Sequence, residues 1–300
     1  MTRVALVKTR ERITGVNRAL DLLDLPSFEG KSLFLKPNYN SADPTPGSTH
    51  NDVLVALVRG LRARDAGPII VGDRSGMGDT RQVMQRKGIF GLAEELAFET
   101  VVFDELDAGG WQRVHVPGSH WRKGFAVAKP VLEAGAVVQT CCLKTHRFGG
   151  HFTLSLKNSV GLVAKQVPGD GYDYMSELHS SPHQRSMIAE INVAYQPDLV
   201  LLDGVEAFVE GGPATGKRVD SQVVLAGTDR VAIDAVGVAM LRLFGTTPEV
   251  SRGPVFAQPQ ISRAVELGLG VSGPGDIELI TGDAPSAAYA AQIHEVLVRD

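Results

Sequence analysis

Residues 135–161 read GAVVQTCCLKTHRFGGHFTLSLKNSVG. The first eight form an apolar run with the length and β-branched content of a buried strand. Beyond it the chain changes character. Lys144, Thr145, His146, His151, Lys157 and Asn158 follow in close succession, punctuated by Gly149, Gly150 and Gly161. A loop that only connects two elements has no need of two lysines, two histidines and an amide. Such a cluster after a central strand suits a cavity that receives an anionic ligand at the strand's carboxyl end.

The segments on either side repeat this pattern. RVALVK (3–8), SLFLKPNYN (32–40), PIIVGD (68–73), TVVFDE (100–105), DLVLLDG (198–204), QVVLAGT (222–228) and IELIT (277–281) read as strands. Helices are predicted over 15–23, 52–64, 183–194, 255–267 and 286–297. Others begin at Asp79 or Thr80 and after Asp229. The unusual polar groups come after strands, which predicts an α/β fold: a mainly parallel open sheet with helices on both faces. One domain is expected over 1–300, with 106–124 and 165–182 as excursions. The second is polar and glycine-bearing, carries Tyr172, Tyr174 and His179, and reads as a lid. TLSLKNSVGLV (153–163) suits helix and strand alike, because its apolar spacing does not decide. Asp234 lies inside an apolar helical run, so its carboxylate requires a partner, either a structural donor or a group at the site.

Composition narrows the function. With 43% hydrophobic and 21% charged residues, the 300-residue chain can bury a sizeable core. A net charge of -4 argues against nucleic-acid binding, which normally needs a basic surface. No apolar run reaches the roughly 18 residues of a membrane span, and MTRVALVKTR starts like a strand rather than a signal peptide. Cys141 and Cys142 are the two cysteines and are adjacent, which leaves no disulfide framework and no cysteine-ligated iron–sulfur cluster within the chain. A cytoplasmic location is expected, while the oligomeric state is not legible.

Lys36, Asn38, Lys144, Lys157 and Asn158 form the natural set for a phosphate- or carboxylate-bearing ligand, with fixed positive donors and directed amides. His50 joins them after the second strand. Gly211 and Gly212, in EGGPATG, join as places where backbone can approach a ligand. His146, Lys144 and Asp73 are the candidate catalytic residues, with His146 moving the proton and Asp73 or Asp203 orienting it. His146, His179 and Asp203 would be the ligands of a divalent metal, although no HExxH or similar spacing is present. GDRSGMGDT and EGGPATG match neither GxGxxG nor the Walker pattern, so nucleotide cradling is not indicated. Cys141 and Cys142 read as buried small hydrophobes rather than nucleophiles.

Several ordered motifs extend beyond any one site: KPN (36–38), GSTHND (47–52), VGD (71–73), LKTH (143–146), TLSLKNSVGLV, LLDGVEAFVEGGPATG (201–216) and AGTDRVAIDAVG (226–237). Together they resemble the family catalogued as domain of unknown function number 362. Many relatives look like iron–sulfur proteins with an added ferredoxin-type cysteine module, which this chain lacks. The resemblance implies a shared pocket and leaves its reaction open. The expected function is an enzyme acting on a small anionic metabolite, with or without a divalent metal. The alternatives are a non-catalytic binder of an anion or metal complex, and a redox protein working with an external iron–sulfur partner.

Overall fold

The computed structural model describes residues 1–147 and 151–299. Its strands are β1 (Thr2–Lys8), β2 (Leu33–Lys36), β3 (Ile69–Asp73), β4 (Glu99–Val102), β5 (Trp111–Val114), β6 (Phe125–Ala128), β7 (Ala136–Lys144), β8 (Leu199–Gly211), β9 (Gly216–Val219), β10 (Val223–Gly227) and β11 (Ile277–Ile280). The described residues build a nine-stranded sheet in the order β11-β1-β10-β8-β7-β2-β3-β4, with β9 added to β8. β8, β7, β2, β3 and β4 run parallel to one another, as do β1 and β11. β10 is antiparallel to β1 and β8, and β9 to β8. The sheet is therefore mixed but mostly parallel, with helices on both faces.

Side-chain alternation explains the layers. Val4 and Leu6 of β1 enter one core with the helices Arg230–Leu243 and Ala284–Leu297. Ala5 and Val7 enter the opposite core with Arg12–Leu22 and Asn51–Arg62. Successive strand residues point to opposite faces, so a sheet covered twice buries both sets. All nine residues of β7 are buried for that reason. A third cluster, including Phe34, Phe103, Trp121, Phe125 and Tyr174, packs the antiparallel β5–β6 hairpin and the 165–182 segment against the sheet. Among the described residues no helix is long and apolar enough to cross a membrane.

Two segments differ from, or resolve, the sequence reading. The strand expected to end near Asp203 continues to Gly211, because its distal half pairs with β9 across the EGGPATG turn. TLSLKNSVGLV becomes a short helix, Leu154–Asn158, followed by the 3-10 turn Ser159–Leu162. The deciding contact comes from another element. Asp234 accepts from Ser155 N at 2.7 Å and from Leu156 N at 3.1 Å, supplying acceptors to the first turn from outside. Burial pushes its carboxyl well above the ordinary range, against the pull of those two donors. Leu154 sits at φ 56°, a left-handed conformation that costs a non-glycine residue about 1–3 kcal/mol. Its side chain is fully buried and lies where a Cβ on Gly237 would be 2.8 Å from its Cδ1. Tertiary packing holds the strained start in place.

From β2 the chain proceeds outward to β3 and β4, whereas β7 lies on the other side of β2. The carboxyl ends of β2 and β7 thus flank a topological switch point, where open α/β sheets place their ligands.

Candidate functional site

Three neighbouring parallel strands end here in charged residues: β2 in Lys36, β3 in Asp73 and β7 in Lys144. Lys36 Nζ lies 2.8 Å from Asp73 Oδ1, and both side chains are buried. The same Nζ donates to Pro37 O at 2.6 Å and to Asn158 Oδ1 at 3.1 Å. Asp73 also accepts from Tyr39 N (2.6 Å) and Arg74 N (2.7 Å). Asn158 Nδ2 donates to Thr140 O of β7 at 3.0 Å. The network ties three strands to the short helix. Burial lowers the Lys36 amine and raises the Asp73 carboxyl, each shift opposed by the partner's charge.

Gly161 closes over this pair. A Cβ there would lie 2.4 Å from Asp73 Oδ1 and 2.9 Å from Lys36 Nζ. Gly161→Ala is therefore expected to lower unfolding stability by about 1–3 kcal/mol, the usual cost of overpacking. Urea denaturation checks this, and unaltered stability would mean that the ion pair yields freely.

In front of the frame opens a cavity of about 800 Å³, within the size range of small-molecule sites. Its lining includes Lys36, Arg74, Lys144, Arg147, Lys157 and Lys165 against two carboxylates, Asp73 and Asp173. That is a formal excess of four cationic side chains in a chain of net charge -4. Lys144 is buried and donates to Gly47 O at 2.5 Å, with its amine lowered chiefly by burial. Lys157 is partly exposed and, among the described residues, its Nζ makes no hydrogen bond or ion pair. Burial first, then Arg185, Lys144 and Arg74, drive its amine well below the ordinary lysine range.

Both candidate histidines of the loop and lid line the cavity. His146 follows Thr145, and its backbone N–H donates to His151 O at 3.3 Å. His179, on the helix Tyr174–Ser180, has Nδ1 2.7 Å from Met175 O. A carbonyl only accepts, so Nδ1 carries the proton and Nε2 keeps its lone pair. Burial, with Lys157 and Arg74 nearby, lowers the pKa of this imidazole and favours the neutral form.

Of the ligand set read from the sequence, Lys36, Asn38, Lys157 and Asn158 line this one cavity, together with the catalytic candidates His146, Lys144 and Asp73. His50 lies elsewhere. It caps the helix Asn51–Arg62 by accepting from Asp52 N at 3.1 Å, and lines a separate recess of about 350 Å³ with Arg86 and Lys87. Asp203 receives the Arg12 guanidinium at 2.8 Å. Gly211 and Gly212 have positive φ, and a Cβ on Gly212 would lie 2.2 Å from Thr145 O. Their turn packs on the backbone that carries His146, and Pro213 rather than either glycine reaches the cavity. The metal set His146, His179 and Asp203 is not assembled: among the described residues no group of three or more His, Cys, Asp or Glu is placed to hold a metal ion. Gly149 and Gly150 lie outside the described residues. Cys141 and Cys142 are buried free thiols, and burial pushes Cys142 up to about 11, which suits packing rather than nucleophilic attack.

Sequence reasoning missed Arg74, Arg147 and Lys165. Arg74 is buried and donates to Val163 O at 2.7 Å and Val160 O at 2.6 Å, joining the end of β3 to the turn after the short helix. The available signal was its place directly behind the strand-ending Asp73. Lys165 pairs with Asp104 at 3.0 Å and shows no comparable signal in sequence.

The family described as "Domain of unknown function (DUF362)" matches residues 33–239, and the chain belongs to that family. A curated relative, the thylakoid-associated protein sll1697 of Synechocystis sp., is 26% identical over 215 residues, which cover 71% of this chain. The match spans 64% of that relative's length. A solved structure, the lactate racemase apoprotein from Thermoanaerobacterium thermosaccharolyticum, is 18% identical at a TM-score of 0.45. That match covers 76% of this chain and 54% of the other.

Proposed function

We propose that this member of the DUF362 family is an enzyme that binds a small carboxylate- or phosphate-bearing metabolite in the 800 Å³ cavity and moves a proton there. The observation that carries the reading is the cationic excess gathered around one recess at the switch point, with histidines in its wall. Lys144 and Lys157 face the ligand, and Asn38 lines the same wall. Lys36, Asp73 and Asn158 saturate one another and act as the positioning frame. His146 is the first proton-transfer group, and His179, with Nε2 able to accept, is the second. The 165–182 segment forms the cover, contributing Lys165, Asp173, Met175, Ser176 and His179 to the wall.

The test is calorimetric titration with oxalate and with inorganic phosphate. Lys144→Met keeps the buried stem and removes the ammonium. It is expected to weaken binding of the preferred anion by about 10- to 100-fold, the worth of one hydrogen bond to a charged group. The circular dichroism spectrum should be unchanged. Equal affinity in a folded variant would remove Lys144 from the site, and absence of binding by either anion in the unmodified protein would sink the reading.

A further inference from the structure

The three sequence-predicted lysines of the cavity are not equivalent. Lys36 is held by a carboxylate, an amide and a carbonyl, and Lys144 by the Gly47 carbonyl. Lys157, partly exposed to the same space, has no hydrogen-bond or ion-pair partner among the described residues. It stands on the short helix that Asp234 fixes from behind, so its backbone is set while its amine is uncommitted. Among the described residues the charges that act on it are those of Arg185, Lys144 and Arg74, all cations, which disfavour an ammonium ion there. A lysine meant only to attract an anion would gain from a carboxylate or carbonyl to hold its proton. One placed among cations, with no carboxylate or carbonyl beside it, has the setting of an amine nucleophile.

We propose that Lys157 forms an imine with the carbonyl of a 2-oxo acid, whose carboxylate is held by the surrounding cations. This assignment rests on the small-anion reading above and narrows its substrate class. The uncharged Nζ adds to the carbonyl carbon. A C–N bond forms, and the carbonyl π pair moves to oxygen, which takes up a proton from solvent. The nitrogen gives up a proton, for which Nε2 of His179 is the acceptor, and the proton returns to the departing hydroxyl. One water leaves, a C=N bond replaces C=O, and no electrons are gained or lost overall. The iminium then draws charge from the adjacent carbon, whatever bond is broken next.

The experiment incubates the full chain with pyruvate or 2-oxoglutarate, adds sodium borohydride, and maps adducts by peptide mass spectrometry. Calorimetry with the same acids and with oxalate runs in parallel. The expected result is one reduced adduct per chain, concentrated on the peptide containing Lys157, because Lys36 and Lys144 are each held by protein acceptors and exposed lysines stay protonated at neutral pH. Lys157→Arg, which keeps the charge but cannot form this imine, should abolish that adduct. Mapping on the unmodified protein stands even if the variant does not fold. Calorimetric binding of the acids with no trapped adduct, or adducts spread over surface lysines, would overturn the imine and leave the anion site intact. Absence of binding by every acid would overturn both.

Discussion

Lys36→Met is expected to lower the unfolding free energy by about 3–5 kcal/mol, because it leaves the Asp73 carboxylate buried without its cation. Asp73 keeps its two backbone donors, Tyr39 N and Arg74 N, but loses the charge 2.8 Å away. The sign of the pH dependence follows from burial. Burial already raises the Asp73 carboxyl, and removing Lys36 raises it further, so ionisation in the folded state becomes harder. A folded pKa above the unfolded value means that stability is lost as pH rises through that window. The variant's deficit should thus be larger at neutral pH than at about pH 4, the ordinary carboxylate range. Urea unfolding at both pH values measures it. Lys36→Met/Asp73→Leu should recover most of the loss, since an apolar pair of similar volume replaces a buried ion pair at little or no cost. A single variant within about 1 kcal/mol of the unmodified protein would show that the pair is not coupled as described.

Asp234→Ala carries the second large effect, and it reaches the site from behind. The substitution strips the acceptors from Ser155 N and Leu156 N inside a fully buried region. Each orphaned donor costs about 1–3 kcal/mol, and Leu154 at positive φ is then followed by a first turn with no acceptors. A loss of about 3 kcal/mol or more is expected, together with faster amide hydrogen exchange over residues 154–162 than over β7. Oxalate or phosphate affinity should fall as well, because Lys157 and Asn158 ride on that helix. Protected amides and full affinity in the variant would show that the helix stands without this carboxylate.

These two residues also mark where sequence reading succeeded and stopped. Asp234 was recognisable as needing a donor, because an isolated carboxylate in an apolar helix is costly. Its partner, 79 positions away, was not recognisable. Likewise the strands that end in Lys36, Asp73 and Lys144 could be read from apolar runs that stop at polar residues. His50 and Asp203 have the same local appearance, yet one caps a helix and the other binds Arg12. Local pattern does not distinguish a strand-end charge aimed at a cavity from one consumed by its neighbours.

What the amino-acid order determined alone was the α/β class, the placing of polar clusters behind strands and the family resemblance. Periodicity and turn chemistry act over a few residues and are written in the chain. What the tertiary structure decided was that 154–158 is helical, that Lys36 is paired with Asp73, and that Lys157 has no such partner among the described residues. Those outcomes depend on which distant groups pack within hydrogen-bond reach, and the strand order of the sheet sets that.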